Sequence, residues 1–162
     1  MKKVKFRRRR VEKTDYKARL ALLKSGLPRL AVRKTNRYVI AQIVKSKEAQ
    51  DAVVCCANSK ELSNYGWSFS LKSIPAAYLT GFLLGTRAKK NKIKDVILDI
   101  GLQRSTKGSR IYAVLKGAID AGLLAKYSED VMPSKERLSG KHLKNAERIE
   151  EEKNKVKEKM IK

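Results

Sequence analysis

The sequence has few of the residue types that build catalytic or metal centres. It contains one histidine, two cysteines and 16 acidic residues among 162 positions. His142 lies in a polar segment, and nothing nearby in the sequence would orient it as a general base. Cys55 and Cys56 are adjacent and would point to opposite faces of a strand, so we interpret both as small core residues. The sequence therefore predicts no catalytic residue, no metal site and no cofactor.

Long apolar runs are also missing. No stretch approaches the roughly 18 apolar residues of a membrane span, and the basic residues 2–10 are not followed by the apolar segment of a signal peptide. We therefore expect a soluble, intracellular protein without membrane contact. Aromatic residues make up 6% of the chain, which leaves little room for extended base stacking. Tyr16 and Tyr38 could each stack on one unpaired base.

Basic residues, by contrast, are abundant. Lysine and arginine number 39, giving a formal net charge of +23, which indicates a polyanionic partner. Fifteen of these residues and only two acids fall within residues 1–37, so the partner should be met mainly there. Residues 1–13, with four consecutive arginines at 7–10, are predicted to be disordered when free. A nuclear-localisation-like signal or a solvated tail is the alternative, but the charge of the whole chain favours nucleic-acid contact.

The first half of the chain predicts one helix and three strands. Thr14 or Asp15 caps a helix that runs to about Ser25, with leucines at helical spacing on one side. Residues 29–35 and 38–45 read as a hairpin whose alternation places Arg29 and Arg33 on a cationic face, and residues 51–58 form a third strand. Residues 59–72 look like a surface loop with no assignable chemistry.

The second half predicts further helices and a weakly ordered tail. Ser73 caps a helix over residues 76–88, which ends in a cationic exit at residues 87–94. Residues 145–162 form a marginal helix at best, ordered only if something docks on it. We therefore expect a basic arm over residues 1–13, a single α/β RNA-binding domain over residues 14–133 and a charged extension over residues 134–162.

Residues 95–122 combine a strand, a basic loop and a helix, which are the parts of a phosphate-binding P-loop. The apolar run at 96–100 predicts a strand buried on both faces, and Gly122 would end the helix that starts at Arg110. The P-loop spacing fails, because six residues separate Gly101 from Gly108 and Lys107 precedes the second glycine. Asp95 and Asp99 would lie about 13 Å apart along a strand, too far to share one ion. Nucleotide hydrolysis is therefore not supported.

A DNA-compacting, chromatin-type protein is the more serious rival, since phosphate binding alone does not distinguish RNA from DNA. The sequence has no helix-turn-helix, zinc-finger or basic-zipper pattern. Its basic groups are spread over an arm, a sheet face and loops, which suits an irregularly folded RNA.

Three long blocks resemble a known family. Residues 14–44 (TDYKARLALLKSGLPRLAVRKTNRYVIAQIV), 76–90 (AAYLTGFLLGTRAKK) and 98–123 (LDIGLQRSTKGSRIYAVLKGAIDAGL) are similar, in order, to the archaeal and eukaryotic branch of the universal large-subunit ribosomal protein eighteen family. The resemblance extends from residue 1 to about 140, and the compact length is similar to the archaeal form.

The resemblance implies a three-layer, ribonuclease-H-like α/β fold with a mixed sheet of about four strands and packed helices, and no enzymatic activity. It also implies a cytoplasmic protein of the large ribosomal subunit that docks 5S rRNA onto the large-subunit rRNA in the central protuberance. Its neighbours there would include the other 5S-binding protein, number five in the bacterial nomenclature. No small-molecule substrate is expected.

The resemblance and the charge pattern together give a set of candidate RNA-binding residues. The resemblance implies contacts from the arm, the start of the first helix and the first hairpin, namely Lys5, Arg7, Arg8, Arg9, Arg10, Lys13, Thr14, Tyr16, Lys17, Arg19, Arg29, Arg33, Lys34, Thr35, Asn36 and Arg37. Charge and position alone add Arg87, Lys89, Arg104, Lys107 and Arg110.

Overall fold

The computed structural model describes residues 10–11, 14–47 and 50–161. Helices and strands alternate in the pattern of an α/β domain. In chain order the main elements are α1 (Tyr16–Lys24), β1 (Arg29–Lys34), β2 (Val39–Lys47), β3 (Gln50–Asn58), a 3₁₀ helix (Ser59–Tyr65), α2 (Ile74–Lys90), β4 (Ile97–Asp99), α3 (Arg110–Asp120), a short 3₁₀ helix (Glu129–Val131), α4 (Lys135–Ser139) and α5 (Ala146–Ile161).

The four strands form one mixed sheet in the order β3-β2-β1-β4. The first three strands are antiparallel, whereas β4 runs parallel to β1. Alternation in β1 puts Leu30 and Val32 on one face, where both are fully buried. The predicted hairpin and the predicted mixed sheet are thus confirmed.

Helices α2 and α3 cover the face of the sheet that carries Leu30, and they cross at unusually short distance. A Cβ added to Gly81 of α2 would lie 1.9 Å from the carbonyl oxygen of Val114, and one added to Gly117 of α3 would lie 2.0 Å from that of Tyr78. Helix α1 lies over the other face, beside Arg29 and Arg33, which completes the predicted three layers. Both predicted helix starts are confirmed, since Ser73 caps α2, and Asp15, one of the two candidates with Thr14, caps α1.

One sequence expectation about burial is wrong. Strand β4 has three residues at the edge of the sheet, with Ile97 and Leu98 only half-buried, because a continuous apolar run does not distinguish an edge strand from a central one. Helix α1 buries none of its residues, and Leu20 is 56% exposed. The groove between α1 and the sheet is lined by Arg29 and Arg33 as well as by apolar residues, so α1 is only partly covered there.

The segment predicted as a surface loop is also structured. Asn58 and Glu61 form a capping box that starts the 3₁₀ helix, and Trp67 just beyond it is only 4% exposed. The bulky Trp67 side chain packs in the core. The polar residues around it along the chain gave no indication of this burial. Both cysteines were predicted to be core residues, and this is right for the buried Cys55 but wrong for Cys56. Cys56 is exposed because adjacent strand residues face opposite sides of the sheet.

The C-terminal segment forms a docked helix where a marginal one was predicted. Ile149, Val156 and Met160 of α5 are buried against α2 and the 3₁₀ helix. Glu152 accepts hydrogen bonds from the Ser68 backbone N–H and hydroxyl. The partner that the helix needs is therefore the chain's own domain. Among the described residues, no helix has the length and apolar character to span a bilayer.

Candidate nucleic-acid interface

The β1–β2 turn presents an exposed, rigid cationic tip. The Thr35 backbone N–H donates to the Tyr38 carbonyl at 2.8 Å, and the Tyr38 N–H donates to Thr35 Oγ1 at 2.9 Å. These bonds close the turn and leave Lys34, Asn36 and Arg37 exposed at its end. We call residues 34–37 the hairpin tip. A fixed backbone with free side chains is suited to contact phosphates without first ordering a loop.

The start of α1 contributes fewer free groups than the sequence suggested. Asp15 accepts hydrogen bonds from the backbone N–H groups of Lys17 and Ala18 at 2.9 and 3.0 Å. Lys17 is exposed, and Thr14 and Tyr16 are half-buried. The Arg19 guanidinium is engaged, since its Nη2 lies 2.8 Å from Asp51 Oδ2.

Arg10 is the one arm residue of the predicted RNA-binding set that the structure describes, and it is exposed. The remaining arm candidates lie outside the described residues: Lys5, Arg7, Arg8, Arg9 and Lys13.

Two hairpin arginines take part in an internal ion-pair network. Arg29 is 4% exposed and bridges Asp99 at 2.8 Å and Asp51 at 2.9 Å. Arg33 donates to the Asp99 carbonyl oxygen at 2.8 Å and to its carboxylate at 3.1 Å. The cationic sheet face expected from alternation is thus neutralised by two aspartates. RNA contact by Arg29 stays a prediction, and the burial of its side chain argues against it.

Asp51 is held strongly ionised by the same network. Partial burial raises the pKa of its carboxyl group, but hydrogen bonds from Ser46, Arg19 and Arg29 outweigh that effect and lower the pKa to about 2. The carboxylate therefore keeps Arg19 and Arg29 paired over the whole physiological range of pH.

The cationic exit of α2 divides into one paired and several free groups. Arg87 pairs with Glu61 and donates to the Cys56 carbonyl oxygen, so it ties α2 to the sheet and the 3₁₀ helix. Burial raises the pKa of Glu61, yet the hydrogen bond from Arg87 outweighs this and lowers it. The lysines that follow are exposed: Lys89, Lys90, Lys92 and Lys94.

The loop over residues 101–110 is anchored by hydrogen bonds at two points. The Gly108 N–H donates to the Val131 carbonyl at 2.9 Å, and Ser105 shares a hydrogen bond with the Tyr112 hydroxyl. Lys107 is exposed between these anchors, and Arg104 is exposed directly before the first of them. Arg110 is half-buried and donates to the Lys72 carbonyl at 3.2 Å.

Sequence reasoning missed a cleft beside the hairpin tip. It has a volume of about 650 Å³ and is formed by the tip, the segment before α2, the start of α3 and the residues before α5. Phe69, Lys72 and Lys144 line it together with Arg110. These residues come from distant parts of the chain, so no local motif could have signalled the cleft.

Comparison with known proteins decides the family. The model of a family described as "Ribosomal large subunit proteins 60S L5, and 50S L18" matches residues 2–96 and 88–128. The chain belongs to this ribosomal L5/L18 family.

Curated members of the L5/L18 family are similar over most of their length. The chain is 54% identical over 151 residues to the large ribosomal subunit protein uL18 of Korarchaeum cryptofilum, covering 93% of this chain and 77% of the relative. It is 51% identical over 142 residues to uL18 of Caldivirga maquilingensis, covering 87% and 69%. It is 48% identical over 151 residues to uL18 of Methanococcus maripaludis, covering 93% and 78%.

Membership in the L5/L18 family confirms three expectations. The protein is a structural component of the large ribosomal subunit, it is not an enzyme, and its relatives are archaeal ribosomal proteins, which are cytoplasmic. The chromatin-type alternative loses its support, because the chain belongs to the ribosomal family that the three sequence blocks indicated.

Proposed function

We propose that this ribosomal protein binds 5S rRNA and attaches it to the large-subunit rRNA in the central protuberance, beside the other 5S-binding protein, number five in the bacterial nomenclature. The observation that carries the proposal is the exposed hairpin tip. Its exposed cations continue the basic stretch that begins at residue 2 and holds most of the chain's excess charge. Phosphate neutralisation by such a surface supplies most of the affinity for a folded RNA.

Exposure and pairing sort most of the described candidate residues into two groups. Exposed side chains are the proposed RNA contacts: Arg10, Lys17, Lys34, Thr35, Asn36, Arg37, Lys89, Arg104 and Lys107. Arginines engaged within the chain are proposed to support that surface: Arg19, Arg29, Arg33 and Arg87. We also propose that the chain is divided into a basic arm over residues 1–13, a domain over residues 14–133 and a charged extension over residues 134–162.

Competition between RNA and DNA tests the function. The full chain should bind a 5S rRNA transcript far more tightly than duplex DNA of equal phosphate number, because the tip and arm fit an irregular RNA surface. Equal competition by the two polymers would contradict a ribosomal RNA-specific role.

Salt titration tests the site. The logarithm of affinity should fall with the logarithm of salt by about 0.7 to 0.9 for each phosphate neutralised. Removing residues 1–13 should make that slope visibly shallower, and neutralising the tip with Lys34→Gln and Arg37→Gln should lower it by about one to two. The control replaces the exposed Lys60 and Lys155 by glutamine, which removes the same charge elsewhere. A slope that responds equally to tip and control would refute a localised site.

A further inference from the structure

The cleft beside the hairpin tip combines an apolar interior with a cationic rim. Its volume of about 650 Å³ lies within the range of small-molecule sites. The apolar lining comes from Phe69, Leu143 and Ile149, and the cationic side chains are Lys72, Arg110 and Lys144. Among the described residues, no carboxylate lines the cleft. The site therefore favours an occupant with a flat or apolar body and negative charge.

Backbone dipoles reinforce the positive potential of the rim. Ser73 caps α2, Arg110 opens α3 and Asn145 directly precedes α5, and all three residues line the cleft. The start of a helix of this length carries partial positive charge on its free N–H groups. Three helix starts and three side-chain cations thus all raise the positive potential inside the cleft.

The aromatic residue in the cleft is held in place and shared with a second groove. The Phe69 ring meets the Trp67 ring edge-on, with centroids 5.6 Å apart. A neighbouring groove of about 430 Å³ is lined by Arg37 as well as by Phe69 and Lys72, so the two depressions lie side by side at the tip. A fixed ring next to cations is the arrangement that proteins use to stack an unpaired base.

We propose that this cleft binds a single unpaired nucleotide of the RNA that the hairpin tip contacts, with the base against Phe69 and the phosphate on the Lys72, Arg110 and Lys144 rim. The inference rests on the proposed function, since the nucleotide belongs to that RNA. It adds a base-stacking site to a surface otherwise built for phosphates. A duplex, whose bases are paired and stacked, does not fit the site.

Intrinsic fluorescence offers a direct test on the full chain. Trp67 is the only tryptophan, and its ring touches that of Phe69, so a base entering the cleft should change its emission. A short single-stranded oligouridylate should change Trp67 emission saturably, while duplex RNA of equal phosphate number should bind elsewhere and leave it unchanged. An equal change with the duplex would overturn the proposal.

Two variants separate stacking from charge. Phe69→Leu keeps an apolar side chain and should weaken oligouridylate binding about tenfold, as loss of one stacking partner does. Lys72→Gln with Lys144→Gln should weaken it as well, whereas the Lys60→Gln, Lys155→Gln control should not. Unchanged affinity in both cleft variants, or equal displacement of the oligouridylate by oligoglutamate, would show that the cleft is not a nucleotide site.

The result can be distinguished from that for the proposed function. If the wild type binds 5S rRNA but oligouridylate does not change its Trp67 emission, the proposal for the cleft is wrong and the proposed main interface stands. A Phe69-dependent response to oligouridylate without preference for 5S rRNA over DNA would support the cleft and contradict the 5S assignment.

Discussion

Arg29 and Asp99 lie 70 positions apart in the sequence, yet Arg29 Nη1 contacts Asp99 Oδ2 at 2.8 Å inside the domain. Their side chains are 5% and 8% exposed. The pair joins β1 to the edge strand β4, and Asp99 also accepts a hydrogen bond from the Gly101 N–H at 2.9 Å. Each of the two charges also has a second partner, because Arg29 pairs with Asp51 and Asp99 pairs with Arg33. The removal of either charge therefore weakens a buried ion-pair network.

Asp99→Ala should lower the free energy of unfolding by about 1–3 kcal/mol, because the buried Arg29 guanidinium keeps Asp51 but loses one of its two carboxylate partners. Asp95→Ala, at an exposed position four residues earlier, should change it by less than about 0.5 kcal/mol. Urea unfolding followed by circular dichroism measures both. If the two variants lose the same stability, the pair contributes nothing beyond an exposed aspartate.

Arg29 and Arg37 should separate stability from RNA binding. Arg29→Met should destabilise the fold but leave the salt dependence of RNA affinity unchanged, since its guanidinium already pairs with Asp51 and Asp99. Arg37→Gln should do the reverse, because Arg37 is exposed at the hairpin tip. Paired urea and salt titrations of the folded variants measure this. A shallower salt slope for Arg29→Met would restore the sequence-based prediction that Arg29 touches RNA.

Asp51 should make the stability depend on acid. Its pKa in the folded protein is about 2, below the ordinary 3.8, so its ionised form stabilises the fold. That contribution is complete above about pH 5 and is lost as the pH falls from about 4 through 2. The difference in unfolding free energy between wild type and Asp51→Asn should therefore shrink over this window. The same measurement on Asp95→Asn supplies the baseline, and a gap that stays constant to pH 2 would refute the pairing.

The crossing of α2 and α3 should not tolerate a methyl group. Gly81→Ala would place a Cβ 1.9 Å from the Val114 carbonyl oxygen, and backbone cannot move aside there without separating the two helices. We expect a loss of several kcal/mol or failure to fold. Gly26→Ala is the control, because no atom lies within 4 Å of its added Cβ and only its backbone φ of +67° is unfavourable, at about 1–2 kcal/mol. Similar melting temperatures for the two variants would contradict the close contact.

The sequence predicted those features that depend on neighbours along the chain. The Asp15 and Ser73 caps and the alternation of Leu30 with Arg29 are local patterns, and the structure confirms each of them. Alternation assigns a side chain to a face of a sheet but does not name its partner. The burial of Arg29 depends on Asp99, which alternation in β1 alone does not indicate.

The candidate site was predictable to a similar extent. The exposed tip at residues 34–37 follows from a turn between two strands, since a hairpin turn has to be at the surface. The cleft requires Phe69, Arg110 and Lys144 to meet from three separate segments, and only tertiary packing brings them together. Helix propensity likewise underestimated α5, because propensity omits the surface on which a helix docks.

The docking of α5 on the domain should contribute to the stability of the fold. Ile149→Ala should lower the free energy of unfolding by about 2–5 kcal/mol, since Ile149 is 2% exposed and belongs to the main hydrophobic core. Ile161→Ala removes the same atoms at a position that is 69% exposed on the same helix, and it should change stability by less than about 0.5 kcal/mol. Thermal and urea unfolding of the two variants decide between a docked helix and an independent tail. Equal, small effects would mean that the segment folds apart from the domain, as its composition alone suggests.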